Sequence, residues 1–352
     1  MRTKLELKFD HNLDFQMEAI AAVVDLFQGL PHHDSAFTLG DGTVPNLPEG
    51  EVLSESWLLG NLLAVQERGR IEQVSELAVD DGIVLEGAGY ENWRYPSFTV
   101  EMETGTGKTY VYLRTIYELR KQYGFRKFII VVPSIAIYEG VIKSFEVMKR
   151  HFSSLYSNET VNLIRYDGSK LSTLRSFATS SFVEVMVMTM QSFNTARGRS
   201  SNTLYRASEQ LPGERKPYQY IQETRPILIL DEPQNMGSDL SKEALRTLHP
   251  LFALRYSATH KEIFNLVNRL TPFDAYQRGL VKRIQVDGVF EQHNLDAGTV
   301  ILREVKTSPL RAIVQTTAMI NGQVRPIEVE LKNGENLFNK TRLPDHQHGY
   351  RV

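Results

Sequence analysis

The stretch that most constrains the fold is VEMETGTGKTYVY, residues 100–112. Its centre, TGTGKT, follows an apolar run typical of a β-strand, residues 98–102, and precedes apolar residues at helical spacing. A glycine-rich turn between a strand and a helix lets the backbone approach a polyphosphate, and the N–H groups of the loop and helix start point at the anion. The stretch therefore predicts a phosphate-binding loop.

Each residue of this loop has an expected role. Lys108 is expected to reach the β and γ phosphates of a nucleotide and to assist catalysis there, while Thr109 places its hydroxyl on a magnesium ion. Met102 stands where the commonest pattern, GxxxxGKS or GxxxxGKT, has its first glycine, so we expect the tightest turn at the TGTGKT end. The predicted nucleotide-binding residues are Thr104, Gly105, Thr106, Gly107, Lys108 and Thr109.

The composition excludes several classes of protein. With 352 residues, 41% hydrophobic and 23% charged, the chain has the make-up of a globular protein with room for two domains. It contains no cysteine, which excludes disulfides and cysteine-ligated zinc or iron–sulfur sites. No apolar run approaches the roughly 20 residues that cross a bilayer, and the N-terminus lacks the apolar segment of a signal peptide. We therefore expect a cytoplasmic protein without a membrane partner.

Charge is distributed unevenly along the chain. The total is −2, but residues 34–91 contain twelve acidic and two basic side chains, a net charge of −10 that leaves +8 on the rest. A nucleic acid would be repelled by the first segment and tolerated by the remainder. We interpret residues from about 30 to 95 as an acidic insertion that faces away from any nucleic acid, with helical stretches at 57–65 and 71–77.

Apolar runs alternate with helical patterns over most of the chain. Helical periodicity covers residues 10–28, with Asp14 as a candidate cap, and residues 138–151. Apolar strands separated by helices predict an α/β fold with a parallel sheet covered by helices on both faces, and with ligands at the carboxyl ends of the strands. Besides the strand before the phosphate loop, the predicted strands are residues 128–132, 161–166, 183–189, 226–230 and 254–257.

The pattern becomes β-rich towards the C-terminus. Residues 284–331 alternate apolar and polar side chains, and Asn321-Gly322 is typical of a hairpin turn. We therefore predict a first domain at residues 1–270 and, at 271–352, a connector followed by the start of an incomplete β-rich region. The polar stretch 197–225 is expected to be a mobile excursion, and the last dozen residues a frayed end.

The second chemical feature is DEPQ, residues 231–234, directly after the apolar run PILIL. Two carboxylates at a strand end beside a phosphate loop have a specific use: Asp231 helps to hold magnesium, and Glu232 orients and deprotonates an attacking water. We group Gln234 with Glu232 as a catalytic residue. The residues expected to relay the state of the γ phosphate, at the end of the next strand, are Ser257, Ala258 and Thr259.

METGTGKT, DEPQ and YSAT, in this order, resemble motifs I, II and III of superfamily 2 helicases and translocases. The flanking words VVPSIAIYEGV, VMTMQSFN and TPFDAYQRGLVKRIQV are similar to those of the restriction subunit of type III restriction enzymes, and the resemblance covers residues 13–286. It implies a RecA-like P-loop NTPase motor domain that uses ATP and Mg²⁺ to move along duplex DNA. A modification methyltransferase subunit is the implied partner.

The resemblance also implies roles for further residues. Gln16 falls where such motors read the adenine edge, and a solvated glutamine on a core helix is the alternative. Contacts to phosphates position a protein without reading bases, so neutral residues at strand ends suit sequence-independent tracking of DNA. Ordinary strand-end capping is the alternative for Thr189 and Gln191. The implied contacts to the nucleic-acid backbone are Pro133, Ser134, Ile135, Thr189, Gln191 and Ser192.

The sequence departs from the family in two respects. Nothing matches the second RecA-like domain, which supplies arginines to the transition state, or the nuclease domain. Because an arginine finger is typically worth ~10³ to 10⁵ in rate, we expect an N-terminal fragment that binds ATP and hydrolyses it weakly. The triplet at residues 330–332, ELK, is expected on a strand surface rather than in a nuclease site. Another superfamily 2 DNA or RNA helicase and a nucleotide sensor without hydrolysis stay open as alternatives, although an intact Glu232 disfavours the sensor.

Overall fold

The computed structural model describes residues 8–33, 42–48, 50–84, 91–193, 202–206, 215–281 and 300–347. The chain divides into two compact units, Met1–Arg283 and Ile284–Val352. The described strands of the first unit are β1 (Val79–Ile83), β2 (Asn92–Met102), β3 (Lys127–Val132), β4 (Val161–Arg165), β5 (Val183–Thr189), β6 (Ile227–Asp231), β7 (Phe252–Ser257) and β8 (Leu266–Leu270). Its described helices are α1 (Asp14–Val24), α2 (Glu55–Arg68), α3 (Lys108–Tyr123), α4 (Ile135–Leu155), α5 (Ser172–Thr179), α6 (Pro217–Thr224), α7 (Asp239–Arg246) and α8 (Pro272–Gln277).

These strands form one sheet with the order β1-β2-β7-β6-β3-β5-β4, and β8 pairs with β2 outside this path. All pairs are parallel except β1 with β2, which is antiparallel. Parallel strands connected by helices place their carboxyl ends along the same edge, where α/β proteins bind ligands. The predicted α/β fold with a mostly parallel sheet is confirmed, and the loops after β2, β7, β6, β3 and β5 share one edge.

Strand β3 shows how both faces of the sheet are covered. Phe128 and Ile130 belong to an apolar cluster that includes residues of α1, α2, α3 and α4. Ile129 and Val131 belong to a second cluster, with residues of α5, α6 and α7. All four are fully buried, and burial of such a side chain typically stabilises the fold by about 1.5–3 kcal/mol. The helices therefore cover both faces, which explains why the strands read as continuous apolar runs.

The acidic segment, which we interpret as an insertion, packs into the core of the first unit. Helix α2 buries Leu58, Leu62 and Val65 in the same cluster as α1 and α3, and β1 extends the sheet. The predicted helix at 57–65 lies within α2, but residues 71–77 are irregular, so the second predicted helix is wrong. The glycine, proline and acidic content of the segment hid its few apolar side chains at helical spacing.

Two further expectations are corrected. Helix α1 begins at Asp14 with Leu13 as its N-cap, so Asp14 is not the cap; its carboxylate lies in the first turn, where the helix dipole favours it. The stretch 197–225 is not simply a mobile excursion, because α6 lies within it and buries Tyr218 and Ile221 in the core. Residues 194–201 and 207–214 lie outside the described part of the chain.

The second unit contains an antiparallel sheet of three described strands, β9 (Ile301–Thr307), β10 (Leu310–Ile320) and β11 (Gln323–Lys332), in the order β11-β10-β9. Asn321 and Gly322 join β10 to β11 with φ angles of 50° and 75°. Positive φ at both central residues is the geometry of a type I′ turn, so the predicted hairpin is confirmed. The strand-like stretch at 284–290 lies outside the described residues.

Of the last dozen residues, which we expected to be frayed, residues 341–347 are described and are structured, and residues 348–352 lie outside the described part. Helix α9 (Phe338–Thr341) precedes a short 3₁₀ turn in which His346 is fully buried, 2.8 Å from the Thr341 hydroxyl. Glu330 lies exposed on β11, where Arg311 donates to it at 2.6 Å, so this carboxylate belongs to a strand surface as predicted. In the described residues, no helix combines the length and the apolar character needed to span a bilayer.

Candidate nucleotide site

The phosphate loop connects the end of β2 to the start of α3. Gly105 and Gly107 have φ angles of 82° and 92°, in the left-handed region, and Gly107 is the N-cap of α3. A Cβ atom on Gly107 would lie 2.5 Å from the Gln16 Nε2 atom and would displace this side chain, and the left-handed backbone conformation itself favours glycine. Thr104 and Gly105 are exposed at the tip of the loop, which leaves its N–H groups accessible to an anion.

Gln16 holds the loop from the side of α1. Its side chain is only 7% exposed, and Nε2 donates a hydrogen bond of 2.9 Å to the Thr106 carbonyl. The Thr106 hydroxyl in turn donates to the Glu103 carbonyl at 2.6 Å, which closes the turn. The alternative of a solvated glutamine is therefore wrong. The structure places Gln16 against the loop, and the adenine contact stays a prediction.

Lys108 and Glu232 form the central contact of the site. The Lys108 Nζ atom lies 3.1 Å from the Glu232 Oε1 atom, and both side chains are largely shielded from solvent. Glu232, directly after β6, has a φ of 57° and a ψ of 55°. This left-handed conformation is strained for a residue other than glycine. Its N–H donates to the Tyr256 carbonyl at 2.9 Å, which fixes the turn that aims the carboxylate at the lysine.

Gln234 and Ser257 hold the other oxygen of Glu232. Gln234 Nε2 donates to Glu232 Oε2 at 2.7 Å, and Ser257 Oγ lies 2.7 Å from the same oxygen and 2.8 Å from Gln234 Oε1. A serine hydroxyl has one proton, so it can donate to only one of these acceptors at a time. The arrangement is a three-residue network that joins β6 to β7.

The network sets the protonation state of Glu232. Burial opposes ionisation, but the hydrogen bonds from Gln234 and Ser257 and the charge of Lys108 outweigh it and lower the pKa of the Glu232 carboxyl. Glu232 is therefore ionised at neutral pH. The Thr259 N–H also donates to Ser257 Oγ at 3.1 Å, and Ala258 lies between these two residues. The structure thus brings the predicted coupling residues to the predicted catalytic carboxylate.

Asp231 lies beside this network but differs from Glu232 in its electrostatics. Burial and the charge of Glu232 raise the pKa of Asp231 to about 6, although Tyr112 and Lys108 act in the opposite direction. The Tyr112 hydroxyl donates to Asp231 Oδ2 at 3.2 Å, and the nearby Thr109 side chain lowers the otherwise raised pKa of the same phenol. Thr109 and Asp231 are therefore both within reach of one phenol oxygen.

Thr109 and Asp231 suit magnesium. Mg²⁺ prefers oxygen ligands and usually takes one or two from the protein, completing its shell with substrate phosphates and water. One hydroxyl and one carboxylate close together at a phosphate loop fit this donor set, and a cation would relieve the cost of ionising a buried Asp231. In the described part of the chain, no cluster of three or more histidine, aspartate or glutamate side chains could hold a metal by itself.

The predicted nucleic-acid residues lie at the ends of the neighbouring strands β3 and β5. Val132 and Thr189 are paired in register, so the loops that follow them lie side by side. Ser134 is the N-cap of α4 and accepts from the Ile137 N–H at 3.4 Å, while the Thr189 and Ser192 hydroxyls lie 3.2 Å apart. The structure brings together the residues that carry this prediction: Pro133, Ser134, Ile135, Thr189, Gln191 and Ser192.

Two of these residues are exposed, and the other four are half-buried, as are Lys108, Thr109 and Glu232. Ile135 is 63% exposed and Gln191 is exposed, whereas Asp231 is 6% exposed. The local hydrogen bonds of Ser134 and Thr189 agree with ordinary capping and do not exclude a phosphate contact. Contact with a nucleic acid stays a prediction.

Sequence reasoning missed Tyr112, the fully buried residue that links Thr109 to Asp231. The signal was present in its spacing, because residues three positions apart on a helix lie on the same face, and Tyr112 is three residues after Thr109. It also missed that Tyr110 contacts His151 on α4, with the phenol oxygen 2.9 Å from Nε2. That contact joins helices distant in sequence, and no local pattern predicts it.

The fold and the site together define a RecA-like domain with a phosphate loop and an acidic pair at the carboxyl edge of its sheet. The family model described as type III restriction enzyme, res subunit, matches residues 14–262. The chain therefore belongs to the family of type III restriction enzyme Res subunits, which confirms the resemblance seen in its motifs.

Individual relatives agree with this assignment. The chain is 28% identical over 292 residues to the EcoPI Res subunit of Escherichia phage P1, covering 78% of this chain and 28% of that protein. It is 31% identical over 225 residues to the StyLTI Res subunit of Salmonella typhimurium, covering 53% and 22%. With the EcoP15I Res subunit of Escherichia coli it shares 28% identity over 282 residues, covering 74% and 28%. The matched chain thus spans about a quarter of the length of these relatives.

One solved structure with similarity is that of a nuclease-deletion mutant of the Type ISP restriction-modification enzyme LlaGI in complex with a DNA substrate mimic. Its sequence identity to this chain is 14% and the TM-score is 0.35, over 52% of this chain and 18% of that one. A likeness this distant adds nothing to the family assignment.

Proposed function

We propose that the chain binds ATP with Mg²⁺ and hydrolyses it to drive movement along duplex DNA, as the motor domain of a type III restriction enzyme. The observation that carries the proposal is the 3.1 Å contact between Lys108 of the phosphate loop and Glu232 of the acidic pair. A phosphate-loop lysine reaches the β and γ phosphates, and a carboxylate beside it can orient the water that attacks the γ phosphate.

Lys108 is expected to change partner when a nucleotide binds. In the structure its ammonium group faces Glu232, with the Met102 carbonyl 3.5 Å away. Phosphate oxygens are strong acceptors with more negative charge than one carboxylate, so they compete well for this lysine. The exchange frees one oxygen of Glu232 to hold a water, while Gln234 and Ser257 keep the other oxygen in place.

Glu232 orients the attacking water and accepts its proton in this proposal. Its lowered pKa makes the carboxylate a weak base in the structure, and a base works best when its pKa is near the operating pH. Loss of the Lys108 charge to the nucleotide removes one cause of that lowering, so the pKa of Glu232 rises as the site fills. The carboxylate then accepts the proton of the attacking water more readily.

Thr109 and Asp231 are the residues that would hold magnesium. A magnesium ion held by these residues would supply positive charge to the β and γ phosphates. Tyr112 positions one oxygen of Asp231, Oδ2, by its hydrogen bond of 3.2 Å and leaves the other free for the ion. Ionisation of Asp231, which has a pKa of about 6, is required for this role.

The proposed nucleic-acid contacts come from the exposed loops after β3 and β5. Hydroxyl, amide and backbone N–H groups there can contact phosphates of duplex DNA without reading bases. The relatives in the family are Res subunits of restriction-modification enzymes, which supports DNA as the substrate. A modification methyltransferase subunit is the proposed partner, and base recognition would then lie outside this chain.

The proposal is tested by measuring ATP binding and hydrolysis with Mg²⁺ alone, with duplex DNA and with RNA of equal length. Lys108→Met removes the phosphate-loop cation, and Lys121→Met removes an exposed lysine near the other end of the same helix. We expect Lys108→Met to weaken nucleotide binding by about 10- to 100-fold, since a hydrogen bond to a charged group is worth about 1.5–3 kcal/mol. Lys121→Met should behave as wild type.

Duplex DNA is expected to raise the hydrolysis rate more than RNA does. Equal nucleotide binding by the two lysine variants would contradict the assignment of the phosphate loop. Stimulation by RNA alone would favour an RNA helicase.

A further inference from the structure

A cavity of about 410 Å³ lies next to the nucleotide site and is not used in the proposed hydrolysis. One wall comes from the loop after β6, including Gln234 and Ser238, and the other from residues at and after the end of β7, including Arg255, His260 and Lys261. Gln234 also donates to Glu232, so this side chain contacts both the cavity and the proposed catalytic carboxylate.

Arg255 is the chemically unusual residue of this cavity. It is 8% exposed, its guanidinium carbon lies 4.7 Å from the centre of the Phe264 ring, and its Nε atom has no hydrogen-bond partner among the described residues. Burial lowers its pKa, although Arg255 stays a cation because arginine loses its proton only in strongly basic conditions. A buried cation without a hydrogen-bonded anion is costly, so it marks a place where an anion would be favoured.

The carboxylates whose charges act on Arg255 are already paired with other cations. Asp80 accepts from Arg246 at 2.5 Å, and Glu262, which also lines the cavity, lies 3.1 Å from the Lys242 ammonium. Lys261 adds a second positive charge to the wall, and unlike Arg255 it is exposed. The cavity therefore has an excess of positive charge that these carboxylates do not balance.

His260 indicates which anion fits. Its Nε2 atom lies 3.4 Å from the Val100 carbonyl, so this nitrogen carries the proton of the neutral ring. Its Nδ1 atom is then an acceptor, and it is buried without a partner among the described residues. A neutral imidazole acceptor beside a cation suits an anion that also has a hydroxyl to donate. Hydrogen phosphate has one, whereas a phosphodiester does not.

We infer that the cavity lined by Arg255, His260 and Lys261 is a binding site for inorganic phosphate. The guanidinium and ammonium groups hold the anion, and the imidazole Nδ1 accepts a hydrogen bond from its hydroxyl. Binding of phosphate there does not depend on the proposed hydrolysis. The origin of that phosphate does rest on it: phosphate released beside Glu232 would enter the cavity past Gln234.

The test measures phosphate binding to the full chain without nucleotide, by ³¹P line broadening and by calorimetry. The phosphate loop is a second potential phosphate site, so every protein carries Lys108→Ala as a common background. In this background we compare Arg255→Met, Lys261→Ala and a matched control, Lys143→Ala, which removes an exposed lysine on α4. Dimethyl phosphate serves as a diester probe that has no proton to donate.

The expected result is phosphate binding in the background protein, weakened at least about tenfold by Arg255→Met, a few-fold by Lys261→Ala and not at all by Lys143→Ala. Dimethyl phosphate should bind several-fold more weakly than phosphate. If Arg255→Met fails to fold, as judged by its thermal transition, the comparison of Lys261→Ala with Lys143→Ala decides. Equal binding by those two variants, no phosphate binding in the background protein, or equal binding of the diester would overturn the proposal. Each of these outcomes is independent of whether the chain hydrolyses ATP.

Discussion

Two neighbouring regions of one sheet edge differ sharply in their chemistry. At the nucleotide end, formed by the loops after β2, β6 and β7, Glu232 contacts Lys108, Gln234 and Ser257 through its two carboxylate oxygens. At the proposed nucleic-acid end, formed by the loops after β3 and β5, the Ser134 and Thr189 side chains are neutral and form hydrogen bonds to residues three positions away. The first region is a network of charges between strands, and the second is a pair of local caps.

The difference follows from what each region is proposed to do. Hydrolysis of the phosphoanhydride of ATP needs charges held in fixed positions, since preorganised groups stabilise the transition state without reorganising. Tracking along a phosphodiester backbone needs contacts that form and break at each step, which suits neutral donors. If the two regions have these functions, substitutions at the nucleotide end should strongly change the rate of ATP hydrolysis and the ionisation of the carboxylates. Substitutions at the nucleic-acid end should change the affinity for DNA modestly.

Glu232→Gln should have the largest effect. The amide cannot accept a proton from water, so we expect hydrolysis to fall by about 10²- to 10⁴-fold, the usual contribution of a general base. Steady-state phosphate release with Mg²⁺ and ATP measures it, with Glu139→Gln on the exposed face of α4 as a matched control. Hydrolysis at the wild-type rate would mean that Glu232 is not the catalytic carboxylate and that the contrast between the two ends is not catalytic.

Asp231→Asn should separate stability from function. The folded protein raises the pKa of Asp231 to about 6 from an ordinary value of 3.8, so the native state is penalised for the ionised group at higher pH. This penalty is absent below about pH 4 and complete above pH 6; two pKa units correspond to about 3 kcal/mol. The variant should therefore be more stable than wild type by up to about 3 kcal/mol at pH 8, and equally stable near pH 4.

Denaturant unfolding without magnesium measures this pH dependence, with Asp81→Asn as an exposed control on β1. Asp231→Asn should also lose magnesium-dependent nucleotide binding, whereas Asp81→Asn should keep it. A variant that is less stable than wild type at pH 8 would show that the buried carboxylate stabilises the fold, contrary to its raised pKa.

Ser257→Ala tests the network between β6 and β7. It removes the hydroxyl that lies 2.7 Å from Glu232 Oε2 and 2.8 Å from Gln234 Oε1, and an unsatisfied partner typically costs about 1–3 kcal/mol. We expect the ratio of DNA-stimulated to basal hydrolysis to fall by about tenfold or less, with nucleotide affinity nearly unchanged. Ser257→Thr keeps the hydroxyl and should retain the ratio; if both variants lose it equally, the side-chain shape at this position matters more than the hydrogen bond.

Ser134 provides the smallest effect and the sharpest test of the nucleic-acid end. Asn and Asp both cap helices about as well as Ser, so Ser134→Asn and Ser134→Asp should match wild type in stability, whereas Ser134→Ala should lose about 1 kcal/mol. Only Ser134→Asp adds a negative charge. If a phosphate lies nearby, its affinity for duplex DNA should be several-fold lower than that of Ser134→Asn at low salt. Equal affinities would leave Ser134 as a helix cap alone.

The nucleotide end was predictable because its chemistry requires particular residue types at short, fixed spacing. TGTGKT and DEPQ each lie within one turn between elements, so local sequence specifies both the backbone and the side chains. The contact from Tyr112 to Asp231 spans 119 residues, and it becomes visible only when α3 packs against the sheet. The proposed phosphate cavity was likewise not predictable from local sequence, because the position of Arg255 relative to the loop after β6 depends on strand order.

The fold was predictable where apolar side chains are continuous and was missed where they are sparse. Strand β3 is apolar at five of its six positions and was located nearly to the residue. In the acidic segment, three leucine and valine side chains of α2 are enough to bury that helix, yet charged and small residues dominate the local composition. Composition therefore indicated an insertion, but it did not indicate that this segment contributes side chains to the core.

The exchange of partners at Lys108 is tested most directly by the equilibrium affinity for ATP with Mg²⁺ in wild type and Glu232→Gln. Because Glu232 competes with the nucleotide for Lys108, its replacement by a neutral side chain should tighten binding by about 2- to 5-fold, the contribution expected of a partly exposed ion pair. Weaker ATP binding by Glu232→Gln would contradict this exchange. It would mean that the carboxylate helps to hold the nucleotide and does not compete with it for Lys108.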